Sequence, residues 1–159
     1  MSGVYVADRK PSACDHMALA RAIRVEVTQL MASSKVVPKS YRFLLALPAV
    51  ETARELVCNI ETAELFYPST PHGVKWRKHY LTLAIGNCYH IVQDLQTVRD
   101  IGLPVNVNRF ERIAGMLDKE ADTLRGRRHN TKLTGKLTLS QKIEKMEAEL
   151  AEMRDIADG

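Results

Sequence analysis

The chain has 159 residues, a formal net charge of +4 and 45% apolar residues. This length fits one domain, or one domain with an arm, and it suffices to bury a core without disulfide or metal staples. Its three cysteines, Cys14, Cys58 and Cys88, are scattered along the chain, which argues against a disulfide framework and a four-cysteine zinc site. We expect each to be a small buried residue in a reducing compartment.

The sequence shows no pattern of a leader or a membrane span. Charged side chains interrupt the first twenty residues, so the apolar segment of a signal peptide is missing. No stretch approaches the roughly 18 apolar residues of a membrane helix. We therefore expect a cytoplasmic protein with no membrane partner.

Positive charge is concentrated in the first 136 residues. They hold 20 Lys and Arg against 13 Asp and Glu, a balance of +7, whereas residues 137–159 hold 3 against 6, a balance of −3. A basic body is typical of nucleic-acid-binding proteins, although many proteins without such a partner share it.

Apolar residues recur with helical periodicity, and strand or hairpin signals are nearly absent. The first helix is predicted to start at Ser12, with Asp15 completing a capping box. The second is predicted to begin near Pro38 or, because an interior proline breaks a helix, again near Pro48. We expect it to end at residues 66–68.

The next two helices have clear start and stop signals. Thr70 is predicted to cap the third helix, and Gly102 to end it in the left-handed conformation. Asn106 or Asn108 is predicted to cap the fourth helix, which should end at Gly126. The apolar stripes of the four helices predict the core: Ala20, Ile23, Val27, Leu30 and Met31; Val50, Ala53, Leu56, Val57, Ile60 and Ala63; Trp76, Tyr80, Leu83, Ala84, Asn87, Ile91, Leu95 and Val98; Phe110, Ile113, Met116, Leu117, Ala121 and Leu124.

A basic linker over residues 127–137 leads to a fifth amphipathic helix, predicted over residues 138–156. Thr138 and Gln141 form a capping box. Two heptads make only a weak coiled coil, so this helix is an arm for docking or oligomerisation, or a solvated tail. Its apolar residues step by four and three, the repeat of a coiled coil: Leu139, Ile143, Met146, Leu150 and Met153.

Together these elements predict an all-α fold. We expect an up-down-up-down four-helix bundle over residues 12–126 with an extra C-terminal helical arm. Each helix has one apolar face, so the faces have to meet in a common core. A three-helix core with loose flanks is the alternative.

The residues offer no convincing catalytic set. The sequence lacks a glycine-rich phosphate loop, a nucleophile elbow and a zinc-protease motif. Cys88 and His90 are two residues apart, so on a helix they point about 200° apart and cannot hold one ion. No Glu-x-x-His motif of di-iron bundles occurs, and acids such as Glu120 are expected in surface ion pairs. We predict no enzyme activity, metal or cofactor; a site built by His and Cys from different helices stays an alternative.

Basic clusters are the stronger signal, because phosphate contacts need positive charge and reach rather than fixed spacing. In an up-down bundle they should gather at its two ends. Tyr41, Trp76 and Tyr80 can stack on bases, or can serve as core aromatics. The predicted nucleic-acid-binding residues are Lys35, Lys39, Arg42, Lys75, Arg77, Lys78, Arg109, Arg112, Arg125, Arg127, Arg128 and Lys132, with Lys136 in the same linker.

The string over residues 37–43, VPKSYRF, is the most distinctive of the chain. Lys39 and Arg42 follow Pro38 at a helix start, where the helix dipole disfavours positive charge. That local cost suggests that these two cations face an anionic partner. The alternative is that the aromatics of this string anchor the helix while the cations are solvated.

This string, with Leu56 and Ala63 on the following helix, resembles a known family. Further matching segments are DIGL at residues 100–103 and RIAGML at residues 112–117. Together they are similar to the accessory variability determinant proteins of diversity-generating retroelements, which are related to proteins encoded in ribosomal RNA intervening sequences. The resemblance covers about residues 17–126. The family usually has a Gly-Gly-Trp-like turn where residues 118–120 read DKE here.

The resemblance implies a basic, barrel-shaped homopentamer of four-helix protomers without catalytic activity. Such proteins bind the reverse transcriptase and the template RNA of their element and support mutagenic cDNA synthesis. By position, Lys39, Arg42 and the cations near the fourth helix would contribute to the binding surface. The sequence therefore predicts a non-catalytic, homo-oligomeric partner of a reverse transcriptase that binds RNA or DNA. The alternative is a protein-only scaffold that oligomerises and docks a partner through its C-terminal helix.

Overall fold

The computed structural model describes residues 15–134 and 137–158, with side chains from Met17 onward. This part of the chain is helical and holds no strand, which confirms the all-α prediction. The predicted cap at Ser12, and also Cys14 and Lys136, lie outside the described residues. The α-helices are α1 (Asp15–Ala32), α2 (Leu47–Leu65), α3 (Pro71–Asp100), α4 (Val107–Asn130) and α5 (Leu139–Asp158).

The entry to α2 is irregular, and Pro48 explains why. A 3₁₀ turn (Lys39–Tyr41) and a π-helical turn (Arg42–Ala46) precede the helix. The Leu47 N–H bonds to the Arg42 carbonyl, five residues back instead of four. In a regular helix the ring of Pro48 would clash with the carbonyl four residues earlier, and the wider π turn relieves that crowding. Both predicted starts of the second helix are therefore partly right.

The caps of α3 and α4 follow the sequence signals. The Thr70 side chain accepts from the Gly73 N–H at 3.0 Å, and Asn106 accepts from the Arg109 N–H at 3.2 Å. Gly102 has a φ of +91°, as expected of a left-handed helix end. Gly73 is also required by space, because a Cβ there would lie 1.9 Å from the Tyr67 carbonyl oxygen.

The C-terminal end of α4 extends past its predicted stop. The helix continues through Gly126 to Asn130, so the first four residues of the predicted linker are helical. At the start of α5 the predicted capping box is present: Thr138 N–H donates to Gln141 at 3.0 Å, and Gln141 N–H donates to Thr138 at 3.4 Å.

The first four helices share one core. α2 packs extensively on α3, α3 on α4, and α1 on both α2 and α4. Their apolar stripes are buried in a single cluster that includes Ile23, Leu56, Ile91 and Leu117. The α5 helix contacts the rest of the chain mainly through α3 and contributes no buried residue. Among the described helices, none combines the length and apolar content needed to cross a bilayer.

Three core predictions are wrong at the level of single residues. Leu83 is 43% exposed, and Leu81, Ile85 and Cys88 are buried instead, because they share the helical spacing of the correctly predicted Ala84 and Ile91 and Leu83 does not. Cys58 is exposed, whereas the buried Cys88 matches the prediction. Glu120, predicted on the surface, is fully buried beside Leu117 and Leu124.

Candidate nucleic-acid interface

Glu64 on α2 gathers two of the predicted nucleic-acid-binding arginines into an internal cluster. Arg77 Nη2 lies 3.3 Å from its carboxylate, and Arg127 forms a second ion pair with the same group. Arg77 also donates to the Phe66 carbonyl at 3.2 Å. These arginine side chains are only 16% and 21% exposed, so they tie α3 and α4 to the end of α2 rather than face solvent.

Glu26 on α1 likewise contacts two predicted nucleic-acid-binding arginines, at the start of α4. It forms ion pairs with Arg112 and with Arg109, whose Nη2 lies 3.7 Å from the carboxylate. Arg125 pairs with Asp122 one turn away on its own helix. Each of these arginines therefore has a counter-charge within the chain, but the side chains of Arg112 and Arg125 are 61% and 43% exposed and stay open to solvent.

The remaining predicted cations form a different class. In the described ranges none of them makes an ion pair, although Arg128 donates to the Thr82 hydroxyl at 3.1 Å. Unpaired cations keep their full charge for an external anion. They are Lys35, Lys39, Arg42, Lys75, Lys78, Arg128 and Lys132.

Lys75, Lys78 and Lys132 form one exposed group, here called the lysine surface. The first two occupy the N-terminal turns of α3, and Lys132 follows the end of α4. Thr134 N–H donates to the Pro68 carbonyl at 2.8 Å, which holds the segment after α4 against the loop between α2 and α3. All three lysines line a groove of about 610 Å³.

The other wall of this groove is the acidic side of α5. Glu144, Glu149 and Glu152 line it opposite the lysine surface, together with Lys145. The arrangement follows from the charge asymmetry of the sequence, since the acidic C-terminal segment lies against part of the basic body. A bound polyanion would therefore compete with the α5 carboxylates for the same lysines.

An aromatic strip runs along α3 beside the lysine surface. The Trp76 ring stacks on Phe66 at 6.2 Å and meets His79 edge-on at 5.3 Å. Tyr80 also stacks on Phe66, at 5.7 Å, and packs against the core, as its alternative interpretation predicted. Trp76 is half-buried, and the helix repeat places it about 160° from Lys78, so these two side chains lie on different faces of α3. The strip reaches the lysine groove through His72, whose ring lies 6.1 Å from Trp76 and which also lines the groove.

A second cationic patch lies at the entry to α2. Lys39 and Arg42 line a groove between α1 and α2 together with Phe43, which is 83% exposed. Leu44 is 71% exposed next to it. Tyr41 packs against the core instead, which leaves Phe43 as the exposed aromatic of this patch.

The buried Glu120 is the least expected charge in the fold. Neither carboxylate oxygen has a hydrogen-bond partner among the described residues. Burial raises its pKa to about 7, and the nearby Arg127 opposes that shift. Burial, with a smaller contribution from Glu120, also raises the pKa of the Cys88 thiol to about 12, which makes this cysteine unreactive.

We expect Glu120 to make the stability of the protein depend on pH. Between its ordinary pKa of 4.5 and about 7, the folded state holds a proton that the unfolded state has lost. Stability therefore falls as pH rises through this window, and remains lower above pH 7. Glu120→Gln should remove this dependence and raise the free energy of unfolding at pH 8 by about 2 kcal/mol.

Urea denaturation at pH 5 and pH 8 measures this effect. Glu111→Gln is the control, because Glu111 is exposed on the same helix. Parallel pH profiles for the wild type and Glu120→Gln would contradict the assignment.

The ion pairs around Glu26 and Glu64 could not be predicted from the sequence. Glu26 and Glu64 lie on different helices from their arginine partners, and the periodicity of one helix carries no information about a neighbouring helix. Glu120 did leave a signal: it is three residues after Leu117 and four before Leu124, which places it on the buried face.

The described residues offer no metal site, since no three of their His, Cys, Asp and Glu side chains gather closely enough to hold an ion. No protein-family model matches the chain, and no curated protein shows significant similarity to it.

Proposed function

We propose that this protein is a cytoplasmic, non-catalytic, nucleic-acid-binding partner of a reverse transcriptase of the diversity-generating retroelement type. In this role it binds the template RNA and the enzyme and supports mutagenic cDNA synthesis. The observation that carries the proposal is the set of exposed cations without internal ion pairs, above all the lysine surface with its adjoining aromatic strip. The resemblance of residues 17–126 to the accessory proteins of these elements is the reason for proposing a reverse transcriptase as the protein partner.

The proposed protomer is an up-down-up-down four-helix bundle that assembles into a homo-oligomer, a pentamer by the same resemblance. The helix contacts support this arrangement, because α1 packs on both α2 and α4 while α3 packs on α2 and α4. The contact of Arg112 with Glu26 brings the start of α4 to the C-terminal half of α1. The contact of Arg127 with Glu64 brings the end of α4 to the end of α2.

A salt titration of RNA binding tests the proposal. Filter binding of a single-stranded RNA between 50 and 300 mM KCl should give a plot of log K against log salt with a slope of about −3, which corresponds to four or five phosphate contacts. Failure to bind RNA or DNA at 50 mM KCl would refute the proposed function, and a flat salt dependence would refute the phosphate contacts.

The acidic side of α5 should weaken this binding. Glu144→Gln/Glu152→Gln removes two carboxylates that face the lysine surface, and we expect RNA affinity to rise about threefold at low salt. Asp155→Asn/Asp158→Asn is the matched control, because it changes the net charge equally but its residues do not line the groove. Equal effects of the two variants would show that net charge alone is responsible.

A protein-only scaffold is the second candidate, favoured by the exposed apolar residues of α5. Deletion of residues 137–159 separates the two functions. The scaffold function requires loss of the protein partner on deletion, whereas the nucleic-acid function requires that RNA binding persist.

A further inference from the structure

The apolar residues of α5 lie on a face that no described part of the chain covers. This apolar stripe consists of residues that are between 47% and 76% exposed, although each is large and hydrophobic. The opposite, acidic side of the helix faces the lysine surface. A stripe of this kind on a 20-residue helix is typical of a coiled-coil seam. Its members are Leu139, Ile143, Met146, Leu150 and Met153.

The residues that flank the stripe identify its partner. With Ile143 at position a of the heptad and Met146 at d, position g holds Lys142 and Glu149, and position e holds Glu147 and Arg154. In a parallel coiled coil each g residue lies beside the e residue five positions later on the other helix. Lys142 of one copy then meets Glu147 of the other, and Glu149 meets Arg154. Both pairs are complementary, and each occurs twice in a symmetric dimer.

The antiparallel alternative lacks this complementarity. It brings g residues opposite g residues and e residues opposite e residues. With the two helices fully overlapped, Glu149 would face Glu149 and Glu147 would face Glu147. Like charges in these positions are destabilising, so the charge pattern favours the parallel orientation over the fully overlapped antiparallel one.

We propose that α5 pairs with α5 of a second copy of this chain as a parallel, in-register, two-stranded coiled coil. The β-branched Ile143 at a, next to Leu139 at d, fits a two-stranded seam. Glu149 lies 3.7 Å from Lys145 of its own helix, but both side chains are more than half exposed and can reorient. The proposal stands independently of nucleic-acid binding, and its experiments contain no nucleic acid. It also does not depend on the pentamer: five α5 helices cannot all pair two by two within one ring, so in a pentamer these pairs would join protomers of different rings.

Disulfide cross-linking of the full chain tests the register. In a background with Cys14→Ser and Cys58→Ser, a cysteine at position d meets its own counterpart across a parallel seam. We expect Met146→Cys to form a covalent dimer at least about tenfold faster than Ala148→Cys, which lies at the outer position f. Ile143→Asp/Leu150→Asp should abolish the cross-link. Equal rates for the two cysteines, or a cross-link that survives the aspartates, would overturn the proposal.

A charge swap tests orientation and partner. Lys142→Glu and Glu147→Lys each turn two attractive pairs of the dimer into repulsive ones, so each should weaken dimerisation about fivefold in sedimentation equilibrium. The double variant recreates both pairs with reversed sign and should restore the wild-type affinity. In the fully overlapped antiparallel pair neither substitution would create a new pair of like charges. Single variants without effect, or a double variant without rescue, would therefore refute the parallel arrangement.

Discussion

Replacement of all three lysines of the lysine surface by glutamine should weaken RNA binding about 30-fold at 100 mM salt. Each of Lys75, Lys78 and Lys132 is exposed and free of ion pairs among the described residues, so each can neutralise one phosphate. The slope of log K against log salt should become shallower by about 2, because three contacts to a single strand are lost. The loss should be similar for RNAs of different sequence, since phosphates carry no sequence information.

A charge-matched control separates local contacts from net charge. Arg24→Gln/Arg54→Gln/Lys119→Gln also removes three positive charges, from exposed positions on α1, α2 and α4 outside the proposed interface. We expect this variant to keep most of the affinity and nearly the full salt slope. If both triple variants weaken binding equally, the lysine surface is not the binding site.

Removal of the Glu64 carboxylate should lower the free energy of unfolding by about 3 kcal/mol. Glu64→Ala leaves two largely buried guanidinium groups, those of Arg77 and Arg127, next to each other without their shared counter-charge. The expected loss reflects uncompensated buried charge rather than the net contribution of the ion pairs. Urea denaturation followed by circular dichroism measures it.

The control for this variant is Glu61→Ala, one turn earlier on α2. Glu61 pairs with Arg21 at 3.5 Å, but both side chains are more than half exposed. A pair of this kind contributes about 0.5 kcal/mol or less. Similar destabilisation by Glu61→Ala and Glu64→Ala would show that the buried arginines do not depend on Glu64.

The helix ends were predictable because their signals are local. Thr70, Asn106 and Gly102 act on backbone groups within a few residues, so the sequence alone indicates where α3 begins and ends and where α4 begins. The predicted end of α4 at Gly126 was wrong, because a glycine in a helix interior is tolerated when packing favours continuation of the helix. The π-helical turn before Pro48 was beyond prediction, since it compensates locally for the proline ring.

The division of the cations into two classes was not predictable. Arg77 and Lys78 are adjacent in the sequence, yet Arg77 is held by Glu64 on α2 while Lys78 lines the open groove. This difference depends on which neighbouring helix each side of α3 meets, and that is a property of the assembled fold. Charge clusters in a sequence thus overestimate the interface, because they count structural arginines together with free lysines.

The short connection between the body and α5 has a geometric consequence. The segment is fastened at Thr134, which bonds to Pro68, and α5 begins at Leu139, a span of at most about 17 Å when fully extended. In the paired state proposed above, the two-fold axis of the seam would place two lysine surfaces close to it, at the same height and on opposite sides. A strand engaged by one copy would then meet the other at high effective concentration, so avidity would favour long RNAs over short ones.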